Sequence, residues 1–407
     1  MAQINYLAFA IPAFFTFVFI EYKMAQQTKK KSVFKYESSV ANFSVGIAER
    51  LLNLFIAASF YQVYNRIYTN CSIFDIPDQW YIWIFLLLAT DLVWYWYHRL
   101  GHEINFLWAA HIVHHQSEEF NLTAAARITT FQAVLRNVFW CLLPLIGFHP
   151  NMIIVILLAH GAYSFFTHTR LIGKIGWLEH VFITPSLHGV HHASDEKYLD
   201  KNYGDVFVFW DKIFGTFQTE EEAPKYGLTH PIKSYSFLWQ HFHYYLEIFE
   251  AYKRSDGSKA KLNALFGSPA LMDQSIRPEL EQRYLQNKIK DQRIKFKGYV
   301  NFQMILIVLL LTLTTMFFES INSLNALAIL IFVMITLINV GALLEQRKWI
   351  YYLECFRLIS VFAYAFYICD IFPFLIFPVI ILILFERTFT LSSLYNKYVS
   401  RCENTEN

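Results

Sequence analysis

Long apolar runs alternate along the chain with short polar links, and one long polar segment interrupts them in the middle. A membrane-spanning helix needs about 20 apolar residues, with a lower limit near about 17. Ile4 to Ile20 just meets that limit. It lacks a basic start and a small-residue cleavage site, so it is expected to be an uncleaved anchor. A weaker run covers Val45 to Tyr64, with Glu49 and Arg50 near its start, and Trp80 to Tyr97 is the third. Phe131 to Phe148 and Asn151 to Thr167 form an apolar hairpin broken by Pro144, Gly147 and Pro150. Its arms are short enough for either a full span or a re-entrant loop. Thr169 to Val300 is polar, and four further runs follow: Gln303 to Phe318, Asn325 to Leu344, Tyr351 to Ile368 and Ile371 to Phe385.

This pattern predicts an all-α, polytopic membrane bundle. The expected division is 1–79 as anchor helices, 80–250 as a catalytic domain, 251–299 as a basic cytosolic segment and 300–407 as C-terminal transmembrane helices. Orientation follows from where the cations fall. Lys29, Lys30, Lys31 and Lys35 place the end of the first helix in the cytoplasm, and the link Asn65 to Gln79, with one Arg and no Lys, lies outside. The third run then returns inward. Between Lys253 and Lys297 there are eleven Lys or Arg against five Asp or Glu. That segment is either a solvated face or a surface drawn to anionic headgroups.

Composition agrees. The 407 residues are 55% hydrophobic and 16% charged, with a mean hydropathy of +0.31, whereas a soluble domain has about 25% charged residues. The net charge of +2 gives no reason to invoke nucleic acid. The five cysteines have no paired spacing, which argues against a disulfide scaffold and against thiolate metal ligation.

Chemistry is concentrated in three histidine clusters: His98 and His102, then His111, His114 and His115, then His188, His191 and His192. Eight of the chain's 15 histidines fall there. Residues three and four apart share a helix face, so each cluster points its rings one way. Eight converging imidazoles exceed the roughly four ligands of a single zinc site and suggest two ions. Imidazoles with neighbouring carboxylates suit Fe, Zn or Cu. A metal pair at a membrane surface, reached by lipid tails, fits oxygen activation; breaking an unactivated C–H bond needs a redox metal, which zinc is not, so iron is expected if the protein is an oxygenase. His168, near the cytoplasmic end of the hairpin's returning arm, is within reach as a further ligand, whereas His160 is two turns deeper and suits a packing or hydrogen-bonded role. Asp91, an ionisable residue within the third run, is expected to orient a ligand imidazole. Glu103 abuts a cluster and could bind metal, support a ligand or shuttle protons. A metal transporter is a more remote reading, since it would place ionisable residues along a path through the bilayer.

The strings His98-Arg99-Leu100-Gly101-His102-Glu103, His111 to Arg127 (HxxHHxSExxNxTAAxR) and His188 to His192 resemble the motifs of the fatty acid hydroxylase / sterol desaturase superfamily of integral-membrane di-iron proteins. The strings at Asp200 to Gly204, Trp210 to Phe217 and Tyr226 to Ile232 are similar to its ether-lipid-cleaving monooxygenase branch. The resemblance covers roughly Leu86 to His243. It implies two Fe ions and O₂, with tetrahydrobiopterin or another external electron donor. It also implies hydroxylation beside an ether oxygen, with collapse of the hemiacetal to a fatty aldehyde and a glycerol derivative. A sterol or fatty-acid hydroxylase or desaturase would use the same site. The eight clustered histidines and Glu103 match the family's essential set, and His168 matches a further histidine. Ser164 stands where fatty acid hydroxylases carry another. Asn202, Asp211 and His230 match recurrent positions that orient ligands or line the site. The implied partners are a lipid substrate, the membrane and the electron donor.

Overall fold

The computed structural model describes residues 4–28, 31–285, 297–347 and 349–368. Among these the protein is helical, with no strand and only two isolated bridges, Phe182 to Phe207 and Ala193 to Tyr226. They fall into two compact units.

The larger unit comprises the described parts of 9–232 and 240–286. It begins with α1 (Ala10–Gln27), α2 (Tyr36–Cys71) and α3 (Trp80–Glu103). The histidine-bearing elements follow as α4 (Asn105–His111) and a 3₁₀ turn (Ile112–Gln116). The apolar hairpin is α5 (Thr130–Trp140), α6 (Leu142–Ile146) and α7 (Pro150–Thr167). Short helices α8 (Pro185–His191) and α9 (Phe209–Phe214) lie in the polar segment. The unit closes with α10 (Phe237–Arg254, from Gln240 onward), α11 (Ser258–Phe266) and α12 (Ile276–Tyr284).

The core is built where α2, α3 and the hairpin meet: Tyr64, Leu86, Trp140, Leu143, Phe148, Met152, Ile153 and Ile156 pack as one cluster. Gly147, at φ +124°, closes α6 against the Phe74 carbonyl, and a Cβ there would lie 2.1 Å from that oxygen. The turn therefore requires glycine. Helix α7 starts on Pro150 at a position where a missing N–H costs nothing, with the His149 ring capping Asn151 N–H.

Helix α2 runs straight through Asn65 to Cys71, part of the link expected to be a loop. The segment YNRIYTN carries no proline or glycine to stop it, and the chain breaks only before Pro77. Its burial is uneven. Most residues from Ser38 to Leu51 are buried, whereas from Leu52 to Cys71 only Tyr64 is.

The smaller unit comprises the described parts of 1–8, 233–239 and 287–407. It contains α13 (Lys297–Met316), α14 (Ser323–Leu344) and α15 (Ile350–Ile368), matching three of the four closing runs. The fourth, Ile371 to Phe385, lies outside the described residues. Arg357 and Glu354 of α15 form a buried ion pair at 2.6 Å, joined by Tyr299 and Gln303 of α13. Among the described residues, five helices are long and apolar enough to cross a membrane: Tyr6–Gln27, Tyr36–Cys71, Pro150–Thr167, Lys297–Met316 and Ser323–Leu344. The protein is an integral membrane protein.

Candidate metal centre

All nine expected histidines converge, and they sort into two groups. His98, His102, His111, His115 and His191 form one; His114, His168, His188 and His192 form the other. Within each group the ligand atoms lie within 4.8 Å of one another. His98 and His102 come from the last turns of α3, and His188 and His191 from α8. Thr184 caps α8 by accepting from Leu187 N–H, and Pro185 starts it.

The middle cluster departs from the expected single helical face. Helix α4 ends at His111 and the chain tightens into the 3₁₀ turn. The tighter winding changes the angle between successive side chains, so His114 joins the second group while His111 and His115 join the first. One short turn thus serves both groups.

The rings are held so that Nε2 faces inward. His98 Nδ1–H donates to the Tyr203 carbonyl at 2.8 Å, His191 Nδ1–H to Lys201 at 2.9 Å and His168 Nδ1–H to Ser164 at 2.8 Å. A carbonyl can only accept, so each bond fixes the tautomer and leaves a lone pair on Nε2. Within each group Nε2 atoms then face each other at 3.0–3.2 Å, as in His98 to His111 and His168 to His188. The buried Nε2 atoms of His102 and His191 have no partner at all. Where both nitrogens of such a pair are bare, they repel unless a cation sits between them. The donor set therefore fits one metal ion per group, and its all-imidazole chemistry suits iron, zinc or copper.

Burial disfavours the charged form of seven of these imidazoles. It pushes His111, His114, His115, His188, His191 and His192 well below the ordinary value, aided by neighbouring rings. His168 is lowered to about 4, again by burial.

The supporting carboxylates differ from expectation in an instructive way. Asp91, fully buried, does not orient a ligand imidazole. Its oxygens accept from His160 Nε2 at 3.0 Å and from the backbone N–H groups of Val206 and Phe207. His160 Nδ1 lies 2.7 Å from Asp205. His160 thus bridges two buried carboxylates beneath Trp94, whose ring also lies against His98. Glu103 is exposed, pairs with Arg99 at 2.9 Å and stands outside both groups. An acidic side chain at the last residue of α3 points to solvent because His98 and His102 have taken the inward face.

Asp211 accepts from Tyr203 N–H at 2.7 Å, Gly204 N–H at 2.9 Å and the Thr216 hydroxyl at 2.7 Å. It shapes the loop whose Tyr203 carbonyl orients His98. Asn202, at φ +54°, spans the same loop, donating to the Leu187 and Gln218 carbonyls. His230 is exposed and contributes only its carbonyl, to Arg277.

Several neighbours have no signal of their own in the sequence. Phe120 stacks on Tyr226 and lies 5.1 Å from the His192 ring, while Trp108 covers His102 at 4.8 Å. Buried Glu21 of α1 accepts from Thr169 and from Leu122 N–H, which ties the first helix to two of the site's loops. Arg127, which ends the second motif string, donates to Val113 O and Asn42.

The sequence profile of the fatty acid hydroxylase family matches residues 83–216, the span holding all nine histidines. The alkylglycerol monooxygenase of Homo sapiens is 31% identical over 363 residues, covering 87% of this chain and 81% of the relative. That of Danio rerio is 30% identical over 389 residues, covering 92% and 86%. That of Xenopus tropicalis is 29% identical over 361 residues, covering 87% and 80%. No solved structure matches the chain significantly. The histidine geometry and this shared length together show that the chain belongs to the alkylglycerol monooxygenase family, within the fatty acid hydroxylases.

Proposed function

We propose that this lipid monooxygenase uses two iron ions and O₂ to hydroxylate the carbon beside the ether oxygen of an alkylglycerol. One oxygen atom of O₂ enters the C–H bond and the other leaves as water, with two electrons from an external donor such as tetrahydrobiopterin. The hemiacetal then releases a fatty aldehyde and the free glycerol hydroxyl. The observation that carries this reading is the division of nine imidazoles, eight of them buried, into two groups with inward Nε2 atoms. The relatives' name supplies the substrate class.

When bound, the ions supply oxygen activation. The chain's own residues do the rest. Nδ1–H bonds to carbonyls hold His98, His168 and His191 in ligand geometry. Asp211 and Asn202 shape the loop that provides two of those carbonyls. Phe120, Trp94 and Trp108 exclude water from the ring edges. The proposed orientation puts the centre on the cytoplasmic side, in a bacterial inner membrane or the endoplasmic reticulum, where the third run delivers His98.

The test is metal analysis of the purified protein, followed by aerobic and anaerobic assays on alkylglycerol, sterol and fatty acid with reduced pterin added. Iron with O₂-dependent release of aldehyde from alkylglycerol supports the proposal. Turnover of only sterol or fatty acid would move the substrate elsewhere in the family. His111→Ala and His191→Ala should abolish activity and lower bound iron; full turnover in either removes that ring from the assignment.

A further inference from the structure

A second polar assembly lies behind the metal-bearing turn and reaches well past the residues that match the family profile. Gln116 immediately follows His115, and the side-chain amide at its tip is held from three sides. Its Oε1 accepts from Arg127, and its Nε2 lies 3.0 Å from the Gln240 carbonyl and 3.0 Å from His243 Nε2. His243 Nδ1 is 2.9 Å from Glu247 Oε1, and Arg277 closes on both Glu247 oxygens at 2.7 and 3.2 Å. His243 and Glu247 are buried, at 0% and 3% exposure.

The direction of every bond in this chain is determined from its ends. Arg127 has only donors, so it fixes the Gln116 amide with its oxygen toward the guanidinium and its nitrogen toward His243. That nitrogen donates, so His243 Nε2 must accept and its proton must sit on Nδ1. The Nδ1–H then needs an acceptor, which Glu247 supplies as a carboxylate held by Arg277. Burial lowers the His243 imidazole below its ordinary value, consistent with a neutral ring. A protonated or flipped His243 would set N–H against N–H at Gln116.

We infer that His243, Glu247 and Arg277 are positioning residues that set the tautomer of His243 and, through Gln116 and Arg127, pin the His111–Gln116 turn. This matters because that turn supplies rings to both metal groups. Arg127 also takes the Val113 carbonyl at 2.7 Å, so the turn is gripped at its middle and at its end. Helices α10 and α12 thereby act on the centre without touching it. The inference rests on the iron reading for its importance, but the constraint on the turn stands independently of any metal.

The test compares full-length protein with Glu247→Gln, which keeps the shape and removes the charge. Lys253→Gln serves as the control, since it loses an exposed ion pair with Glu250, at 3.9 Å, on the same helix. Backbone hydrogen exchange is followed in metal-stripped protein over the 111–116 turn and over α8. Glu247→Gln should speed exchange at the turn about tenfold and leave α8 unchanged, and iron loss from loaded protein to a chelator should accelerate about tenfold. Equal acceleration at both sites would show a general structural role and overturn the inference, as would no change at the turn. If Glu247→Gln fails to fold, Arg277→Lys carries the same comparison: it keeps the charge and loses the two-pronged contact, and must localise its effect to the turn. Parent protein that binds no iron would defeat the functional proposal while leaving the exchange result to decide this one.

Discussion

Replacing Asp211 with asparagine isolates the loop that aims His98. The carboxylate is fully buried, with Oδ1 accepting from Tyr203 N–H and Thr216 and Oδ2 from Gly204 N–H. Asparagine can keep the Oδ1 bonds in weaker, uncharged form, but its amide nitrogen then meets the Gly204 N–H donor to donor. A hydrogen bond to a charged group contributes about 1.5–3 kcal/mol, and an orphaned buried donor costs a similar amount. The expected loss is therefore about 2–4 kcal/mol. Thermal unfolding of the iron-free protein in detergent should fall by at least about 4 °C, taking about 2 °C per kcal/mol for a domain of this size. The Tyr203 carbonyl, freed from its anchor, holds His98 less well, so iron affinity should drop about 10- to 100-fold, as for other groups that orient a ligand. Metal per chain after dialysis reads the second effect. An Asp211→Asn variant with parental stability and full iron would refute this account of the loop.

His160→Leu removes the bridge between Asp91 and Asp205 and leaves buried carboxylates unpaired, at about 3–5 kcal/mol; a parental melting curve would contradict that. Gly204→Ala sets a Cβ 2.7 Å from the Phe207 carbonyl and 2.8 Å from Asp211 Oδ2, so overpacking of about 1–3 kcal/mol and lowered iron content are expected on metal analysis. Glu103→Gln breaks only a partly exposed i,i+4 pair with Arg99, so stability should shift by less than about 0.5 kcal/mol and iron content should not change; iron loss would make Glu103 a ligand. For metal-stripped protein, folded His168 sits at about 4 against 6.5 for an ordinary imidazole. The unfolded chain takes up protons that the folded one refuses, so stability should fall as pH drops from about 6.5 toward 4. Denaturation at several pH values checks the sign.

Much of the centre is legible in the sequence alone because metal ligation constrains spacing tightly. The three clusters and His168 all converge, and only the partition of His114 from His111 and His115 is hidden, since the switch to a 3₁₀ turn leaves no mark in the HxxHH string. The carboxylates are harder to read. Asp91 stands out as an intramembrane acid, but its partners His160, Val206 and Phe207, and the Asp205 that shares His160, are far from it in sequence. Glu103 stands out by its adjacency to His102 and by its match to the family's essential set, and helical geometry turns it outward. The apolar runs match the helices well, except where α2 continues through a polar stretch that lacks a stop signal.

That uninterrupted helix has a mechanical consequence. At about 1.5 Å per residue its 36 residues span about 54 Å, well beyond a hydrocarbon layer of about 30 Å. Its sparsely covered half suits lipid tails, and its other half ends at Asn42 and Ser38, which bond Ser117, Thr123 and Arg127 beside the His111–Gln116 turn. A stiff rod without a hinge transmits tilt. The half that suits lipid tails and the half that bonds the loop beside the His111–Gln116 turn are thus parts of one continuous element.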